Sequence, residues 1–376
     1  MGSLSNSQSA GQPIDQPRLI WEASTGYDLF VSLHVLDTPE KFALRGAWAK
    51  GVRTRLPAEA REFFEETSHV LLAALPWVYS LDGPRDAETI LDALAALTPE
   101  QRFSSFLKSP EIPESIGPVL DQVAARGAWT AQDREAILAS GSFPMKSEAE
   151  LGEMLDLWAR TPALGTRTLE SLVAYYDVFF AEEELRIRPA LEEAVLRGQE
   201  MAARLPFPDL LAELSEGIRF ENEQLVYPEW VMAPSFWITP RIFTAQVSPS
   251  RTIFFHGGRP ADASLVPGEA VPDALFVALK ALADPTRLRI LHYLEEQPQT
   301  PSELAKTLRL RAPTVIHHLN SLRLAGLVYV AWEKGDKRYA ARTSRIAELY
   351  LQLRRYLGIS DIKLREEGSG RPPYMA

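Results

Sequence analysis

The sequence contains no cysteine among its 376 residues, and this absence excludes several classes of site. Disulfides, thiolate nucleophiles, thiolate zinc sites and cysteine-held clusters all need that residue. Histidine is also scarce, at six residues, so a metal site built from imidazoles is not expected either. We therefore predict a protein with no metal and no other cofactor.

Long apolar runs are missing as well. The longest, His69 to Leu81, is broken by Pro76 and falls short of the roughly 20 residues that span a bilayer. The first 18 residues have neither the basic start nor the apolar stretch of a secretory signal. These features predict a cytoplasmic protein that makes no membrane contact.

Catalytic motifs are the third absence. The sequence has no G-x-S-x-G, no phosphate-binding glycine loop with lysine and no H-E-x-x-H. His34 and His69 each stand alone, and the consecutive Glu182, Glu183 and Glu184 point in different directions on a helix, which is typical of a solvated face. We expect a protein that is not an enzyme, and keep an enzyme fused to a DNA-binding module as an alternative.

Positive charge is scarce overall but concentrated near the carboxyl end. The net charge is -10, yet residues 273–358 hold 14 Lys and Arg against 8 Asp and Glu, whereas residues 1–272 hold 23 against 39. Salt screens the repulsion between charges beyond roughly 8–10 Å, so a basic module can bind phosphate while an acidic body faces away. The pattern predicts a nucleic-acid-binding module in the last quarter of the chain.

The remaining chain reads as mainly α with small β elements, and its length favours two or more domains. Four short stretches resemble strands: Ile218–Gln224, Trp230–Trp237, Arg241–Val247 and Thr252–His256. Proline punctuates them, which is typical of edge strands. The predicted segments are a flexible tail (1–17), a helical domain (18–216), a β-rich segment (217–260), a linker (261–271), a winged helix-turn-helix domain (272–358) and a second tail (359–376).

Aromatic residues mark the helical domain and the β-rich segment. A long helix is expected from near Thr166 until Pro189 kinks or ends it, with an apolar face of spacing i, i+3, i+4, i+7, i+8 from Leu172. Such aromatics either pack as core or wall a pocket for a small organic effector, so the region is either a sensor or a scaffold for dimerisation or protein docking. The pocket candidates are Tyr175, Tyr176, Trp230, Phe236 and Trp237.

Helix signals in the basic module have the spacing of a helix-turn-helix. Asp284 precedes Pro285 at one helix start, and Thr300 with Glu303 forms a capping box at the next. Only residues 309–311 separate that second helix from a third, Ala312 to Leu324. The third helix is therefore expected to enter the major groove of DNA.

One face of that third helix is polar. Val315, Leu319 and Leu322 fall together on the opposite, buried face. Hydroxyl, amide and imidazole groups can bond to base edges, and arginine can bond to phosphate or guanine. The predicted reading residues are Arg311, Thr314, His317, Asn320 and Ser321.

A hairpin and a final helix complete the module. The strands Val328–Glu333 and Lys337–Arg342 form a predicted wing, whose tip carries basic residues suited to the DNA backbone or minor groove. These residues are Lys334, Lys337 and Arg338. The last helix, from about Ser344, carries an apolar stripe that needs either the module's own core or a second subunit as its partner. The stripe, predicted to dimerise, consists of Ile346, Leu349, Tyr350 and Leu353.

Three runs in this order, Ala281–Leu291, Thr314–Leu319 and Leu324–Val328, resemble ArsR-type winged-helix repressors. The resemblance implies a homodimer that binds an inverted repeat in double-stranded DNA and is released by an effector. Its dimer contacts would come from the helix before Asp284 and from the final helix. Ser302, Glu303 and Leu304 stand where the metal-sensing branch has cysteine ligands, so metal sensing of that type is not expected. Arg309 stands where the family commonly has glycine, and a left-handed conformation there would cost about 1 kcal/mol.

The amino-terminal region resembles, more distantly, the helical modules that precede such winged helices in some bacterial regulators. Trp230–Phe236 and Gly26–His34 carry that similarity. It implies no particular ligand.

Overall fold

The computed structural model describes residues 16–42, 44, 46–68, 70–108, 115–140, 148–221, 224–260, 262–264, 271–333 and 336–357. Most of the two predicted tails and of the predicted linker lies outside these ranges, as do His69 and Lys334.

The amino-terminal region is helical, and the prediction of a mainly α protein with small sheets is confirmed. No helix within the described ranges is long and apolar enough to cross a bilayer. The helices are α1 (Gly26–Asp37), α2 (Gly46–Arg55), α3 (Ala58–Thr67), α4 (Leu75–Ser80), α5 (Ala87–Ala96), α6 (Pro99–Leu107), α7 (Gly117–Arg126), α8 (Ala131–Ala139), α9 (Glu148–Ala159), α10 (Thr161–Tyr175), α11 (Ala181–Ala202) and α12 (Phe207–Leu214).

Helix α10 continues through one π-helical turn, Tyr176–Phe180, directly into α11. The sequence predicted that this helix kinks or ends at Pro189. It does not end there, because α11 contains Pro189 and runs to Ala202. Pro189 lies on the exposed side, while Ile187 and Leu191 are buried on the other. Burial of that face offsets the roughly 3 kcal/mol that an interior proline costs a helix.

The strands of this region are β1 (Arg18–Trp21), β2 (Ile218–Arg219), β3 (Glu229–Ser235), β4 (Phe243–Ser248) and β5 (Arg251–Gly257). Four of them form a sheet in the order β1-β3-β5-β4, in which β4 is antiparallel and the others are parallel. Strand β1 was expected to be part of the helical domain. Pro234 lies in β3, an inner strand, and has no backbone N–H to donate to a neighbouring strand. Strand β1 ends at Trp21, which pairs with Met232, so no residue of β1 lies opposite Pro234 and no hydrogen bond is lost on that side.

This sheet separates two cores. Successive residues of a strand point to opposite faces, so Val231 packs with the helices around Phe30. Its neighbours Trp230 and Met232 pack on the other side against α12.

The carboxyl-terminal module has a core of its own, in which Ile290, Leu304 and Leu319 are buried. A short strand of the amino-terminal region, β2, pairs in parallel with the first strand of its wing. The module consists of α13 (Asp273–Leu282), α14 (Pro285–Glu296), α15 (Pro301–Leu308), α16 (Ala312–Leu324), β6 (Val328–Glu333), β7 (Asp336–Ala341) and α17 (Thr343–Tyr356).

Candidate nucleic-acid interface

The predicted capping box fixes where α15 begins. Thr300 Oγ1 accepts a hydrogen bond from the Glu303 N–H at 3.2 Å, and Glu303 Oε2 accepts one from the Thr300 N–H at 2.7 Å. The bond from that backbone N–H holds the pKa of the Glu303 carboxyl below its ordinary value. An ionised carboxylate therefore stabilises the start of the first helix of the helix-turn-helix.

The turn that follows places α16. Arg309 adopts the left-handed conformation, with φ +56°, and the Leu310 N–H donates to the Ala305 carbonyl at 3.0 Å. Arg311 is extended and α16 begins at Ala312. Arg309 thus adopts the left-handed turn conformation that glycine commonly adopts at this position in the family that the sequence resembles.

The five predicted reading residues lie at the start or on the outward face of α16. Val315, Leu319 and Leu322 are fully buried on the inner face, as expected from their spacing. The side chains of Arg311, Thr314 and His317 are exposed, and those of Asn320 and Ser321 are half-buried.

Sequence reasoning missed one residue of this surface. Ile316 is 43% exposed beside His317, although its side chain is apolar. An exposed aliphatic group on a helix that enters the major groove can contact the methyl group of thymine. A signal was present in the sequence, because Ile316 lies off the apolar stripe of α16.

The wing departs from the predicted arrangement at Arg338. Its guanidinium donates to the Pro298 carbonyl at 3.2 Å and to Glu303 Oε2 at 3.4 Å. Arg338 therefore braces the wing against the start of α15 rather than projecting from the tip.

Lys337 lies on the other face of the same strand. Its Nζ is 5.3 Å from the centre of the Trp332 ring and 5.5 Å from that of Tyr339. Burial and, second, the charge of Arg323 lower the pKa of Lys337. Lys337 thus presents a cation near the end of α16, held between two aromatic rings.

Three of the four residues predicted to dimerise pack inside the module. Leu349 is buried in its core, and Ile346 and Leu353 are half-buried against that core. Tyr350 is 62% exposed. The stripe on α17 therefore packs mainly against the module's own core, which was one of the two partners proposed for it. Of its four residues, only Tyr350 lies mostly in solvent.

Further exposed apolar residues lie on α17 and on α13, which packs on it. The resemblance implied dimer contacts from these two helices, but the sequence reasoning did not name these residues. They include Phe276, Leu279 and Leu351. Phe276 and Leu279 lie three residues apart, one helical turn, and so share a face of α13.

The five aromatic residues proposed as a ligand pocket do not line one cavity. Tyr175, Phe236 and Trp237 are fully buried in one core, where Trp237 stacks on Trp48 with ring centres 5.4 Å apart. Trp230 belongs to the core on the other face of the sheet, and Tyr176 is half-buried. Two surface cavities of the described region lie elsewhere, one among α1, α2 and α3 and one between α3 and α10.

The acidic run of α11 is a correction to the sequence reasoning. Glu183 and Glu184 are buried rather than solvated. Glu184 Oε1 accepts hydrogen bonds from Thr25 Oγ1 at 2.5 Å and from the Ala87 N–H at 3.0 Å, and Glu183 pairs with Arg186 at 2.5 Å. Glu184 thus holds the starts of α1 and α5 to α11, and these partners lie far away in the sequence, whereas Glu183 is neutralised within α11.

A family model matches part of the carboxyl-terminal module. Residues 284–330 match the family described as bacterial regulatory protein, arsR family. The HTH-type transcriptional regulator CmtR of Mycobacterium tuberculosis is 44% identical over 68 residues, which are 18% of this chain and 58% of that protein. The probable mercury resistance operon repressor of Streptomyces lividans is 31% identical over 83 residues, 22% of this chain and 66% of that protein. The matched stretch thus spans about three fifths of the length of these relatives.

Proposed function

Residues 284–330 form an ArsR-family helix-turn-helix domain, and from that premise we propose that the protein regulates transcription by binding double-stranded DNA. We propose further that it acts as a dimeric repressor at an inverted-repeat operator. The relatives' names, a transcriptional regulator and a probable operon repressor, support this direction.

The observation that carries the proposal is the outward face of α16. Thr314 and His317 are exposed on it, with Asn320 one turn further on, and each can bond to a base edge in the major groove. Arg311 precedes the helix and can reach phosphate. The excess of basic residues in 273–358 supplies the attraction that any duplex would feel.

A patch of exposed apolar side chains on α13 and α17 supports a dimer. Phe276 and Leu279 of α13 and Tyr350 and Leu351 of α17 leave large apolar side chains in solvent. A two-fold contact through these helices would bury them. To read an inverted repeat, such a dimer needs its two α16 helices about one turn of DNA apart.

For the amino-terminal region, the filled aromatic interior favours the scaffold hypothesis over the organic-effector hypothesis. Tyr175, Phe236 and Trp237 are buried in one core, where the ring of Phe179 packs against both Tyr175 and Trp237. An effector that binds the folded protein would raise its stability by RT ln(1 + [L]/Kd), so melting temperatures measured with a panel of aromatic and aliphatic compounds distinguish the two hypotheses. The scaffold hypothesis predicts no saturable shift with any of them.

The experiment that tests DNA binding uses the purified full-length chain. Genomic fragments that it retains are sequenced to define an operator, and a labelled operator duplex is then titrated at several salt concentrations. We expect log K to fall with log salt by about 0.9 for each phosphate contacted. Affinity that does not depend on salt, or retention of fragments that share no inverted repeat, would contradict the proposal.

A further inference from the structure

We propose that the amino-terminal region positions the wing for DNA, through strand β2 and the side chain of Glu213. This inference rests on the proposed function. It assigns positioning residues that precede the ArsR-like segment, whereas the base contacts are proposed for α16.

The first contact is a shared sheet. Ile218 and Arg219 of β2 pair in parallel with Val330 and Ala331 of β6, giving the strand order β2-β6-β7. The Val330 N–H donates to the Gly217 carbonyl at 2.7 Å. Without β2, the outer side of β6 would be an unpaired edge. In this three-stranded sheet, the wing strands β6 and β7 are the middle strand and one edge strand. The other edge strand, β2, belongs to the amino-terminal region.

The second contact is an ion pair at the base of the wing. Arg342, at the end of β7, donates to Glu213 Oε2 of α12 at 2.6 Å, and its side chain is 7% exposed. Tyr329 of β6 donates from its hydroxyl to the other oxygen of Glu213 at 3.3 Å. One carboxylate thus holds Tyr329 of β6 and the residue that directly follows β7.

The turn between these two contacts allows a close approach. Glu216 and Gly217 both have positive φ, at +56° and +108°. A Cβ at Gly217 would lie 3.0 Å from the Val328 carbonyl oxygen and 3.1 Å from the Tyr329 ring. Only glycine lets the chain leave α12 and run against the start of the wing at this distance.

These contacts join α12 to the wing directly. Residues 206–219 run from α12 through the tight turn into β2, all within the described ranges. A wing held in this way presents Lys337 to DNA at a fixed position relative to α16. A wing released from Glu213 and β2 would lose its phosphate contacts but keep the base contacts that α16 makes.

The test compares Glu213→Gln with Glu200→Gln in the full chain. Glu200 pairs with Arg204 at 3.9 Å in an exposed i, i+4 pair, so both variants lose one negative charge. Loss of an acidic charge alone would strengthen binding to DNA, because it reduces repulsion. The positioning role predicts the opposite sign for Glu213→Gln only.

Affinity is measured for a random-sequence duplex and for the selected operator over a range of salt. We expect Glu213→Gln to weaken both by roughly three- to tenfold and to reduce the salt slope by about 1 for each bound subunit, about 2 for a dimer, as the loss of one phosphate contact per wing would. The preference for operator over random duplex should not change. Glu200→Gln should match the wild type or bind slightly more tightly.

A second pair of variants covers the case in which Glu213→Gln unfolds the module, as judged by circular dichroism. Gly217→Ala adds a methyl group against the wing, whereas Gly83→Ala, with φ +98°, meets no atom within 4 Å. Both strain the backbone similarly, and only the first should reduce the salt slope.

Glu213→Gln and Gly217→Ala proteins that fold and keep the wild-type affinity and slope would overturn the inference alone. A wild-type chain that binds neither duplex would overturn the proposed function, and this inference with it.

Discussion

At the scale of single residues, Arg309 shows how a turn can be made against local preference. It ends α15 in the left-handed conformation, at φ +56°, and its side chain is exposed. For a residue with a Cβ this conformation costs about 1 kcal/mol relative to glycine. The packing of Leu308 and Val315 on either side of the turn holds the backbone in place.

We therefore expect Arg309→Gly to raise the free energy of unfolding of the carboxyl-terminal module by about 1 kcal/mol. Arg309→Ala is the matched control, because it removes the same charge but keeps the Cβ. Denaturant unfolding of both variants measures the difference. An alanine variant as stable as the glycine variant would show that the turn stores no strain.

Single residues also show which contacts could be predicted. The N-caps at Asp284 and Thr300 were predictable, because each bonds to a backbone N–H two or three residues away. The contacts of Arg338 with Glu303 and of Arg342 with Glu213 join residues 35 and 129 positions apart. In the sequence, each of these residues is visible only as a charged side chain. A charged side chain that lies in solvent looks the same, so the sequence does not reveal the ion pair.

At the scale of elements, an apolar stripe alone does not reveal its partner. The stripe of α17 packs against its own module through Leu349, although its spacing fits a dimer contact equally well. The apolar side chains that remain in solvent include Tyr350 of that stripe, its neighbour Leu351, and Phe276 and Leu279 of α13.

We expect Tyr350→Glu to convert a dimer to a monomer without unfolding it, because an exposed charge costs little in the monomer and much in an apolar interface. Leu349→Ala should instead lower the free energy of unfolding by about 2–5 kcal/mol, because it empties part of a packed core. Analytical ultracentrifugation at micromolar concentration, together with thermal unfolding, measures both. A wild-type chain that is monomeric both free and on DNA would contradict the dimer proposal.

At the scale of the whole molecule, the division of charge was readable from the sequence, whereas the way the parts join was not. Strand β1 pairs with β3 about 210 residues later, and β2 pairs with β6 more than 100 residues later. Two residues of β2 carry no periodicity that marks a strand. The placement of Trp230 and Trp237 in different cores likewise follows from the sheet, which local patterns did not reveal.

The buried Asp28 predicts how the free energy of unfolding of the whole chain depends on pH. Burial raises the pKa of Asp28 to about 7, although its carboxylate accepts hydrogen bonds from Ser235 and from the Phe236 N–H. Since the folded state holds this proton more tightly than the unfolded chain, the contribution of Asp28 to stability is full below about pH 4 and is lost as the pH rises through about 7. We expect Asp28→Asn to flatten the dependence of the unfolding free energy on pH between 4 and 7. An unchanged dependence would contradict this assignment.

The central claim, that α16 reads DNA sequence, is tested most directly by the operator preference of His317→Ala and Asn320→Ala. Each variant is titrated with the selected operator and with a random duplex, and His292→Ala, which removes an exposed histidine from α14, serves as the matched control. We predict a loss of roughly 1–3 kcal/mol on the operator and little change on the random duplex, because base contacts carry discrimination. His292→Ala should behave as the wild type. Folded His317→Ala and Asn320→Ala proteins that keep the full wild-type preference for the operator would contradict the account.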